Sequence, residues 1–396
     1  MALERINAVG TSFFGRGSIG LLPAELKKRG FKRGLIVTDP FLYKNGTGDK
    51  VGACLLKAGM EYAIYYLVEP NPSTIVVNEC LKAAKALEVD LLVAVGGGSA
   101  IDTAKAVSIV LANGGRVEDY EGVNRSGKPG IPIVAVNTTA GTGSEVTSFY
   151  IVTDPARHSK MCMVDPNSMV TIAVNDVELM MTMPKGLTAS TGMDAITHAI
   201  EAAVAKRATP FTDKDALWAM GVIREYLPKA VSDGNDEKAR EMMAYAEYSA
   251  GMAFSNAGLG MVHAMAHSLG GLKNLPHGIC NAVLLPFVME FNGSRPEAAS
   301  GYKKVAEGLK LPGAAAMTGE VAVKESVACI RRLSKEVGIT QNLRELKVTP
   351  EDFKALAEIA MQDSCMDDNP IKPTVQQVME VYGKAYGMEI MGRRGK

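Results

Sequence analysis

The sequence carries no excess of charge of one sign, because Lys and Arg together number 43 and so do Asp and Glu. This balance excludes an overall field that would attract nucleic acid or an anionic membrane. No run of about 18 uncharged apolar residues is present, so no segment predicts a membrane-spanning helix. The first residues, MALERINAVGTSFFG, lack the basic-then-apolar layout of a signal peptide. We therefore expect a cytoplasmic protein with no nucleic-acid partner and no membrane partner.

Cysteine is sparse and histidine sparser, with six and five residues in a chain of 396. No two cysteines form a C-x-x-C pair, so their spacing argues against a disulfide framework and against a cysteine zinc site. Hydrophobic residues make up 47% of the chain and charged residues 22%, which is the profile of an ordinary globular protein. The length is sufficient for two domains with well-buried cores.

Short apolar runs alternate with helical stretches over the N-terminal half of the chain. Strands are predicted at 35–39, 62–68, 90–95 and 131–138, and helices at 49–59, 73–88 and 99–112. Continuous apolar strands between helices predict a parallel sheet covered on both faces. The early segment AVGTSFFGRGSIGLLP has strand-like pieces but no matching helix. It predicts a flanking hairpin, or an edge that pairs with a second subunit.

The pattern changes near Met183, after which apolar residues recur at three-to-four spacing. Segments with this helical period cover 187–205, 215–231, 238–254, 262–272, 297–310, 318–337, 350–361 and 373–386. We predict an α/β N-terminal domain with a parallel sheet over 1–184, followed by an all-α C-terminal domain over 185–396.

Two loops rich in glycine and hydroxyl side chains follow predicted strands, at the edge where open α/β sheets bind ligands. GGGSAIDTAK (96–105) opens a helix whose free N–H groups and positive dipole suit a pyrophosphate. It is not G-x-G-x-x-G, and a tight turn with an ordinary cap is the alternative interpretation. TTAGTGSEVT (138–147) adds hydroxyls and backbone donors. Asp39 ends a third strand, where a carboxylate can bind ribose hydroxyls and repel a 2′-phosphate, which favours NAD over NADP.

Four of the five histidines fall within one stretch of the helical half. Asp194 and His198 are four residues apart on one predicted helix, and His263 and His267 have the same spacing on another, so each pair shares a helix face. His277 follows the turn that ends the second helix. A carboxylate with three imidazoles suits Fe²⁺, Zn²⁺ or a similar ion. A surface Asp–His pair and a hydrogen-bonded core histidine are the alternatives, but several such groups on apolar helices are costly to bury without a ligand.

Taken together, these motifs resemble the iron-containing alcohol dehydrogenase family over essentially the whole chain. The resemblance rests on GGGSAIDTAK, NTTAGTGSEVT, NDVELMMTMPKGLTASTGMDAITHAIEA and GLGMVHAMAHSLGGLKNLPHGICNAVLLP. The sequence is most similar to the subgroup of 1,3-propanediol, lactaldehyde and NAD-dependent methanol dehydrogenases. It implies an N-terminal Rossmann-like NAD-binding domain, a C-terminal metal-binding and catalytic domain, and a homodimer or larger homo-oligomer. It also implies NAD and one divalent metal, Fe²⁺ by family, although the donor set accepts Zn²⁺ equally.

The resemblance also implies roles for individual residues. Asp194, His198, His263 and His277 match the family's metal ligands, and His267 matches a histidine beside them that would relay a proton or orient substrate and cofactor. Phe149, Phe254 and Cys365 fall near the substrate pocket, where a Phe at 149 would narrow the space. The positions that match dinucleotide contacts are Asp39, Asn71, Gly97, Gly98, Ser99, Asp102, Thr138, Thr139, Thr147 and Lys160.

The expected function is the interconversion of small primary alcohols or diols and their aldehydes with NAD(H). A lyase like dehydroquinate synthase is the first alternative, but its sugar-acid phosphate substrate needs several Lys and Arg near the metal. Residues 187–205 contain none, and 258–286 contain only Lys273. Glycerol-dehydrogenase-like enzymes are the second alternative and use fewer histidine ligands. A non-catalytic binding subunit would require a lost ligand or loop, and no such loss is visible.

Overall fold

The computed structural model describes residues 5–388 and contains a six-stranded parallel sheet. The spatial order of its strands is Thr11–Phe14, Ile172–Asn175, Ile133–Asn137, Leu91–Gly96, Arg33–Val37 and Glu61–Tyr65. All strand pairs in this sheet are parallel. The predicted α/β architecture of the N-terminal half is therefore confirmed.

Alternate residues of the central strands face two different hydrophobic cores. On the strand Leu91–Gly96, Leu92 and Ala94 pack on one side, and Leu91, Val93 and Val95 pack on the other. Helices cover both faces, which is why these strands read as continuous apolar runs. The helices before residue 184 are Leu22–Arg29, Pro40–Lys44, Thr47–Lys57, Thr74–Ala86, Gly98–Asn113 and Val177–Met180.

The prediction for the early segment is wrong in two respects. Thr11–Phe14 is an edge strand that pairs in parallel with Ile172–Asn175, and no hairpin forms. A helix, Leu22–Arg29, does follow it, with Gly30 as a left-handed C-cap. Periodicity missed this helix because only Leu22 and Leu26 mark its buried face. Pairing of the edge with a second subunit stays a prediction.

A small second sheet lies next to the main one and was not predicted. Phe149–Asp154 and Ser159–Val164 form an antiparallel hairpin, and Gly122–Val123 pairs with its second strand. His158 lies in the exposed turn with a positive φ of 50°. The hairpin carries Phe149 and Lys160 toward the loops that follow the main strands.

Within the described residues, everything after Lys185 is helix, turn or loop. This confirms the helix-rich C-terminal half, while a domain boundary at 184 stays a prediction. None of the helices in the described range is long and apolar enough to cross a membrane. The α-helices are Lys185–Val204, Pro210–Ser232, Glu237–Ala257, Met261–Lys273, His277–Gly293, Pro296–Ala299, Gly301–Gly308, Gly319–Glu336, Phe353–Ala360 and Val375–Tyr386.

Two buried carboxyl groups meet where the loop 138–147 contacts the helix Glu237–Ala257. Glu247 accepts a hydrogen bond from the Gly143 N–H at 2.6 Å, whereas neither oxygen of Glu145 has a donor. Burial and the adjacent charge of Glu145 raise the pKa of Glu247 well above its usual value. One carboxyl of the pair must therefore keep a proton and donate it to the other.

Replacing Glu247 with Gln is expected to stabilise the protein by about 1–3 kcal/mol at neutral pH, because an amide N–H then donates to Glu145 without the proton that Glu247 must keep on folding. A carboxyl with a raised folded pKa destabilises the fold as pH rises above its unfolded value of 4.5. The gain should therefore shrink as the pH approaches 4.5. Denaturant unfolding at both pH values measures it, with Glu241→Gln on the exposed side of the same helix as the control. If Glu247→Gln is less stable than the wild type at neutral pH, Glu145 and Glu247 do not share a proton.

Candidate metal centre and adjoining cleft

A cleft with a volume of about 130 Å³ lies where the carboxyl ends of the parallel strands meet the helices that begin with Lys185–Val204. Most of the residues singled out in the sequence line it: Asn71, Gly98, Ser99, Asp102, Thr147, Phe149, Lys160, Asp194, His198, Phe254, His263, His267 and His277. Asp39, Gly97, Thr138, Thr139 and Cys365 do not line this cleft.

The two glycine-containing loops pack directly against each other at one end of the cleft. Gly97 caps the helix Gly98–Asn113, and a Cβ there would lie 2.7 Å from the Thr139 hydroxyl oxygen. A Cβ on Gly98 would lie 2.9 Å from the Thr142 methyl group. The glycines are therefore needed for this contact. This close contact between the loops leaves the first residues of the 16-residue helix Gly98–Asn113 facing the cleft, as a pyrophosphate site requires.

Two acidic residues predicted to contact the cofactor make hydrogen bonds within the protein. Asp39 caps the helix Pro40–Lys44 by accepting from the N–H groups of Phe41 and Leu42. Asp102 is partly buried and accepts from the Ser144 hydroxyl at 2.6 Å and the Ile151 N–H at 3.0 Å. Burial raises the pKa of Asp102. Asp102 thus holds the second loop and the start of the hairpin, and a cofactor contact by either residue stays a prediction.

Lys160 brings a positive charge to the same end of the cleft. Its Nζ donates to the Asn71 Oδ1 at 2.7 Å, and Asn71 in turn donates to Asn274 at 3.1 Å. Burial lowers the pKa of Lys160. Among residues 5–388, no other lysine or arginine lines the cleft.

Asp194, His263 and His277 come together at the other end of the cleft. One donor atom from each lies within 4.8 Å of the other two. Asp194 Oδ1 is 3.6 Å from the Nε2 atoms of both histidines. Asp194 and His263 are buried in apolar helices, at 2% and 1% exposure. Burial opposes ionisation of Asp194, but the nearby imidazoles outweigh it and lower its pKa.

The amide of Asn281 shows that these three atoms point at one position. Its Nδ2 lies 2.6 Å from Asp194 Oδ1, 3.1 Å from His263 Nε2 and 3.2 Å from His277 Nε2. A cation bound at the position of this nitrogen would meet one lone pair from each of the three atoms. A position with one carboxylate and two imidazole lone pairs suits a divalent cation of the Fe²⁺ or Zn²⁺ type.

Glu201 fixes the orientation of His263. Its Oε2 lies 2.6 Å from His263 Nδ1, and the same carboxylate accepts from the backbone N–H groups of Gly260 and Val262. The pairing leaves His263 Nε2 facing Asp194. Burial opposes charge on this ring, but hydrogen bonds to Asp194 and Glu201 outweigh it and raise the pKa of His263 to about 9. Carboxylates in this position are typical of histidine metal ligands.

His198 lies beside the three-atom group without joining it. Its ring stacks on His263 with centroids 4.5 Å apart and on Phe254 at 4.2 Å. Its Nδ1 is buried and has no hydrogen-bond partner. Burial lowers the pKa of His198 to about 3, so the ring is neutral and able to coordinate. A buried imidazole nitrogen without a partner is consistent with a ligand that completes the set.

His267 faces the cleft from the next turn of the same helix as His263. Its Nδ1 pairs with Asp363 Oδ2 at 2.8 Å, and its ring stacks on His277 at 5.2 Å. Asp363 is held in turn by the Cys365 N–H. Burial opposes ionisation of Asp363, but His267 outweighs it and lowers the carboxyl pKa. Donation from Nδ1 leaves Nε2 as the basic nitrogen of the ring.

Aromatic side chains close the cleft on the side of the hairpin. Phe149 meets Phe254 edge to face, with centroids 5.3 Å apart. Phe149 and Leu259 also line a second, larger cavity of about 610 Å³, whose lining includes Cys365. These two side chains therefore separate the second cavity from the candidate metal centre.

Three functional candidates were missed by the sequence. Glu201 is seven residues after Asp194 and Asn281 is four after His277, so helix periodicity could have found both. Asp363 lies 96 residues from His267, and no sequence pattern around Asp363 indicates that it contacts this histidine.

Comparisons with known proteins agree along the whole chain. The family model described as iron-containing alcohol dehydrogenase matches residues 10–177, and the model for the C-terminal part of the Fe-containing alcohol dehydrogenase family matches 188–386. The chain is 45% identical over 374 residues to the NAD-dependent methanol dehydrogenase of Bacillus methanolicus, covering 94% of this chain and 97% of that one. It is 41% identical to the lactaldehyde reductase of Escherichia coli K12, with coverage of 95% and 98%.

A solved structure shows the same fold. The alcohol dehydrogenase from Oenococcus oeni aligns with a TM-score of 0.93 at 37% identity, covering 97% of this chain and 100% of that one. Two family models that together span nearly the whole sequence, with relatives above 40% identity, establish the membership. The chain therefore belongs to the iron-containing alcohol dehydrogenase family.

Proposed function

We propose that this protein interconverts small primary alcohols or diols and their aldehydes with NAD(H) and one divalent metal ion. The observation that carries the proposal is the convergence of the donor atoms of Asp194, His263 and His277 on one position beside the glycine-rich cleft. Membership of the family supports the reaction class. The printed name of the Bacillus methanolicus relative supports NAD as the nicotinamide cofactor.

The residues fit the metal that the family implies. Asp194, His263 and His277 would hold it, and His198, whose ring stacks on that of His263, would be the fourth ligand. Fe²⁺ is the ion that the family name supports, and Zn²⁺ suits the same donors. When bound, the cation would supply Lewis acidity, which makes an alcohol hydroxyl acidic enough to lose its proton near neutral pH.

The cofactor would lie along the loops that follow the sheet strands. Gly97 and Gly98 leave room for its pyrophosphate at the start of the helix Gly98–Asn113, and Ser99, Asn71, Thr147 and Lys160 would contact it from the cleft walls. We propose the remaining predicted contacts, Asp39, Asp102, Thr138 and Thr139, as supports of those loops and of the adenosine end. The nicotinamide supplies hydride acceptance or donation.

His267 is placed to move the alcohol proton. Asp363 holds Nδ1 and so fixes the ring with Nε2 as the acceptor. An imidazole oriented by a buried carboxylate is the usual arrangement for a general base. We propose that Nε2 takes the proton in the oxidative direction and returns it to the oxygen in the reductive direction.

The cleft favours a small neutral substrate. Phe149, Phe254 and Leu259 make its wall apolar, and Lys160 is the only cation lining it in the described part of the chain. A sugar-acid phosphate, as used by a dehydroquinate-synthase-like lyase, would need several cationic side chains. We also propose a homodimer or larger homo-oligomer in the cytoplasm, with a domain boundary after residue 184.

The test is an activity screen on protein with a measured metal content. We expect NADH formation with NAD⁺ and C1–C4 alcohols and diols, NADH consumption with the matching aldehydes, loss of both after chelation, and recovery with Fe²⁺ or Zn²⁺. Metal-loaded protein that is inactive with every alcohol and aldehyde would refute the proposal. Turnover of a sugar-acid phosphate would instead establish the lyase.

Replacing His267 with Ala is expected to lower turnover about 10²–10⁴-fold, the usual contribution of a positioned general base. Metal content should stay near that of the wild type, because the three-atom group does not include His267. Asp363→Asn should give a smaller loss and a shifted pH profile of kcat. Steady-state rates and elemental analysis of the same samples measure both. Loss of the metal from His267→Ala would show that His267 is a ligand.

A further inference from the structure

A second group of metal-binding side chains lies behind His267. Cys162, His267, Asp363 and Cys365 each offer one donor atom, and these four atoms all lie within 4.8 Å of one another. The two cysteines are far apart in the sequence, so their spacing gave no sign of the group. Cys162 comes from the strand Ser159–Val164, His267 from the helix Met261–Lys273, and Cys365 from the short 3-10 helix Ser364–Asp368.

The four donor atoms are close enough together to bind one cation after small side-chain movements. Ligand distances of about 2.0–2.3 Å around Zn²⁺ place neighbouring donor atoms about 3.3–3.8 Å apart. The existing contact between His267 Nδ1 and Asp363 Oδ2 is 2.8 Å, so a cation needs only a small separation of this pair. The neighbouring Cys162 thiol and burial raise the pKa of Cys365.

The surroundings also favour a bound ion. Cys162, His267 and Cys365 are 6%, 5% and 2% exposed, and the Asp363 side chain is 6% exposed. The Cys365 N–H holds the other Asp363 oxygen at 2.8 Å, which orients the carboxylate as metal ligands usually are oriented. Two thiolates, an imidazole and a carboxylate form a softer donor set than that of Asp194, His263 and His277, so the two sites should prefer different ions.

We propose that Cys162, Cys365, His267 and Asp363 form a second metal site, which takes a thiophilic divalent cation such as Zn²⁺ or Cd²⁺. Binding forms two metal–sulfur bonds and releases one proton from each thiol to solvent, with no change of oxidation state. Coordination by His267 Nδ1 moves the proton of that nitrogen to Nε2 through solvent, and it therefore breaks the His267–Asp363 hydrogen bond. Because the proposed function rests on that bond, occupation of the second site should inhibit the dehydrogenase reaction.

The binding test does not depend on activity. The full-length protein is loaded with one equivalent of Fe²⁺, kept anaerobic with a phosphine reductant, and titrated with Cd²⁺. We expect a thiolate-to-Cd²⁺ charge-transfer absorption that saturates at one Cd²⁺ per chain while the iron is retained. The first site contains no sulfur, so displacement of iron cannot produce this band. X-ray absorption of the same protein loaded with Zn²⁺ should show two sulfur neighbours at about 2.3 Å.

Cys162→Ser should lower the charge-transfer band to about half its intensity and reduce the sulfur neighbours from two to one, with iron content unchanged. Cys54→Ser is the matched control, because Cys54 is also a buried free cysteine but does not belong to the four-residue group. If Cys162→Ser does not fold, the X-ray absorption of the wild type still decides. Absence of the band, or a zinc environment of nitrogen and oxygen alone, would overturn the site. Binding without inhibition would leave the site standing and contradict the role of the His267–Asp363 bond.

Discussion

Replacing Asp194 with Ala is expected to remove the catalytic metal and to lower alcohol oxidation by at least about 10³-fold. Asp194 is the only anionic member of the three-atom group, and its Oδ1 lies between the two histidine Nε2 atoms. A Lewis acid contributes several kcal/mol to a reaction of this kind, and each 1.4 kcal/mol is about tenfold in rate. Elemental analysis and initial rates with NAD⁺ measure the two losses on the same preparation.

A matched substitution separates this effect from a general loss of structure. Asp215→Ala removes a carboxylate from the neighbouring helix, Pro210–Ser232, where it pairs with Lys214 at the surface. It should keep the metal and the rate. If Asp194→Ala retains a full equivalent of metal and turns over at the wild-type rate, the cation does not bind where the three lone pairs converge.

Replacing Glu201 with Ala is the second change with a large expected effect, because it acts on both the fold and the metal. The carboxylate accepts from two backbone N–H groups and from His263. Removing one partner of such a buried network costs about 3–5 kcal/mol. Metal affinity should fall about 10–100-fold, as is usual when the partner of a histidine ligand is lost. Denaturant unfolding of metal-free protein and a competition titration with a chelator measure the two effects separately.

Glu201→Gln distinguishes the two contributions. Its side-chain oxygen can still accept from a backbone N–H, so the stability loss should be smaller than for alanine. Its NH₂ group cannot accept the hydrogen bond from His263 Nδ1, so the metal affinity should still fall. Equal losses of stability with no change in affinity would mean that Glu201 supports the helix ends without orienting His263.

The sequence predicted the sheet because a strand that is buried on both faces consists of consecutive apolar residues. Leu91–Gly96 and Ile133–Asn137 are buried at every position, and a continuous apolar run is the direct mark of this environment. The hairpin Phe149–Asp154 with Ser159–Val164 gave a weaker signal. Its polar turn at His158 looked like an ordinary loop, since antiparallel pairing depends on contacts between segments.

The candidate site was predicted in its residue types but not in its arrangement. Helix spacing placed Asp194 and His198 on one face, yet the side-chain rotamers that bring Asp194 to His263 and leave His198 stacked beside them depend on packing. Glu201 and Asp363 act on histidines 62 and 96 residues away. Such pairs arise from the crossing of helices, which local patterns do not encode.

The Asn281 amide has a consequence for the order in which the active protein is made. Three buried metal-binding atoms around one position need a hydrogen-bond partner when no cation is bound, and the Asn281 Nδ2 lies 2.6–3.2 Å from all three of them. Small zinc domains lack such a substitute and stay unfolded until their ion arrives. Here folding can be complete before any cation is acquired. Metal binding then requires the Asn281 side chain to move away from the site. The concentration of available metal therefore determines the fraction of active molecules, but not the fraction of folded molecules.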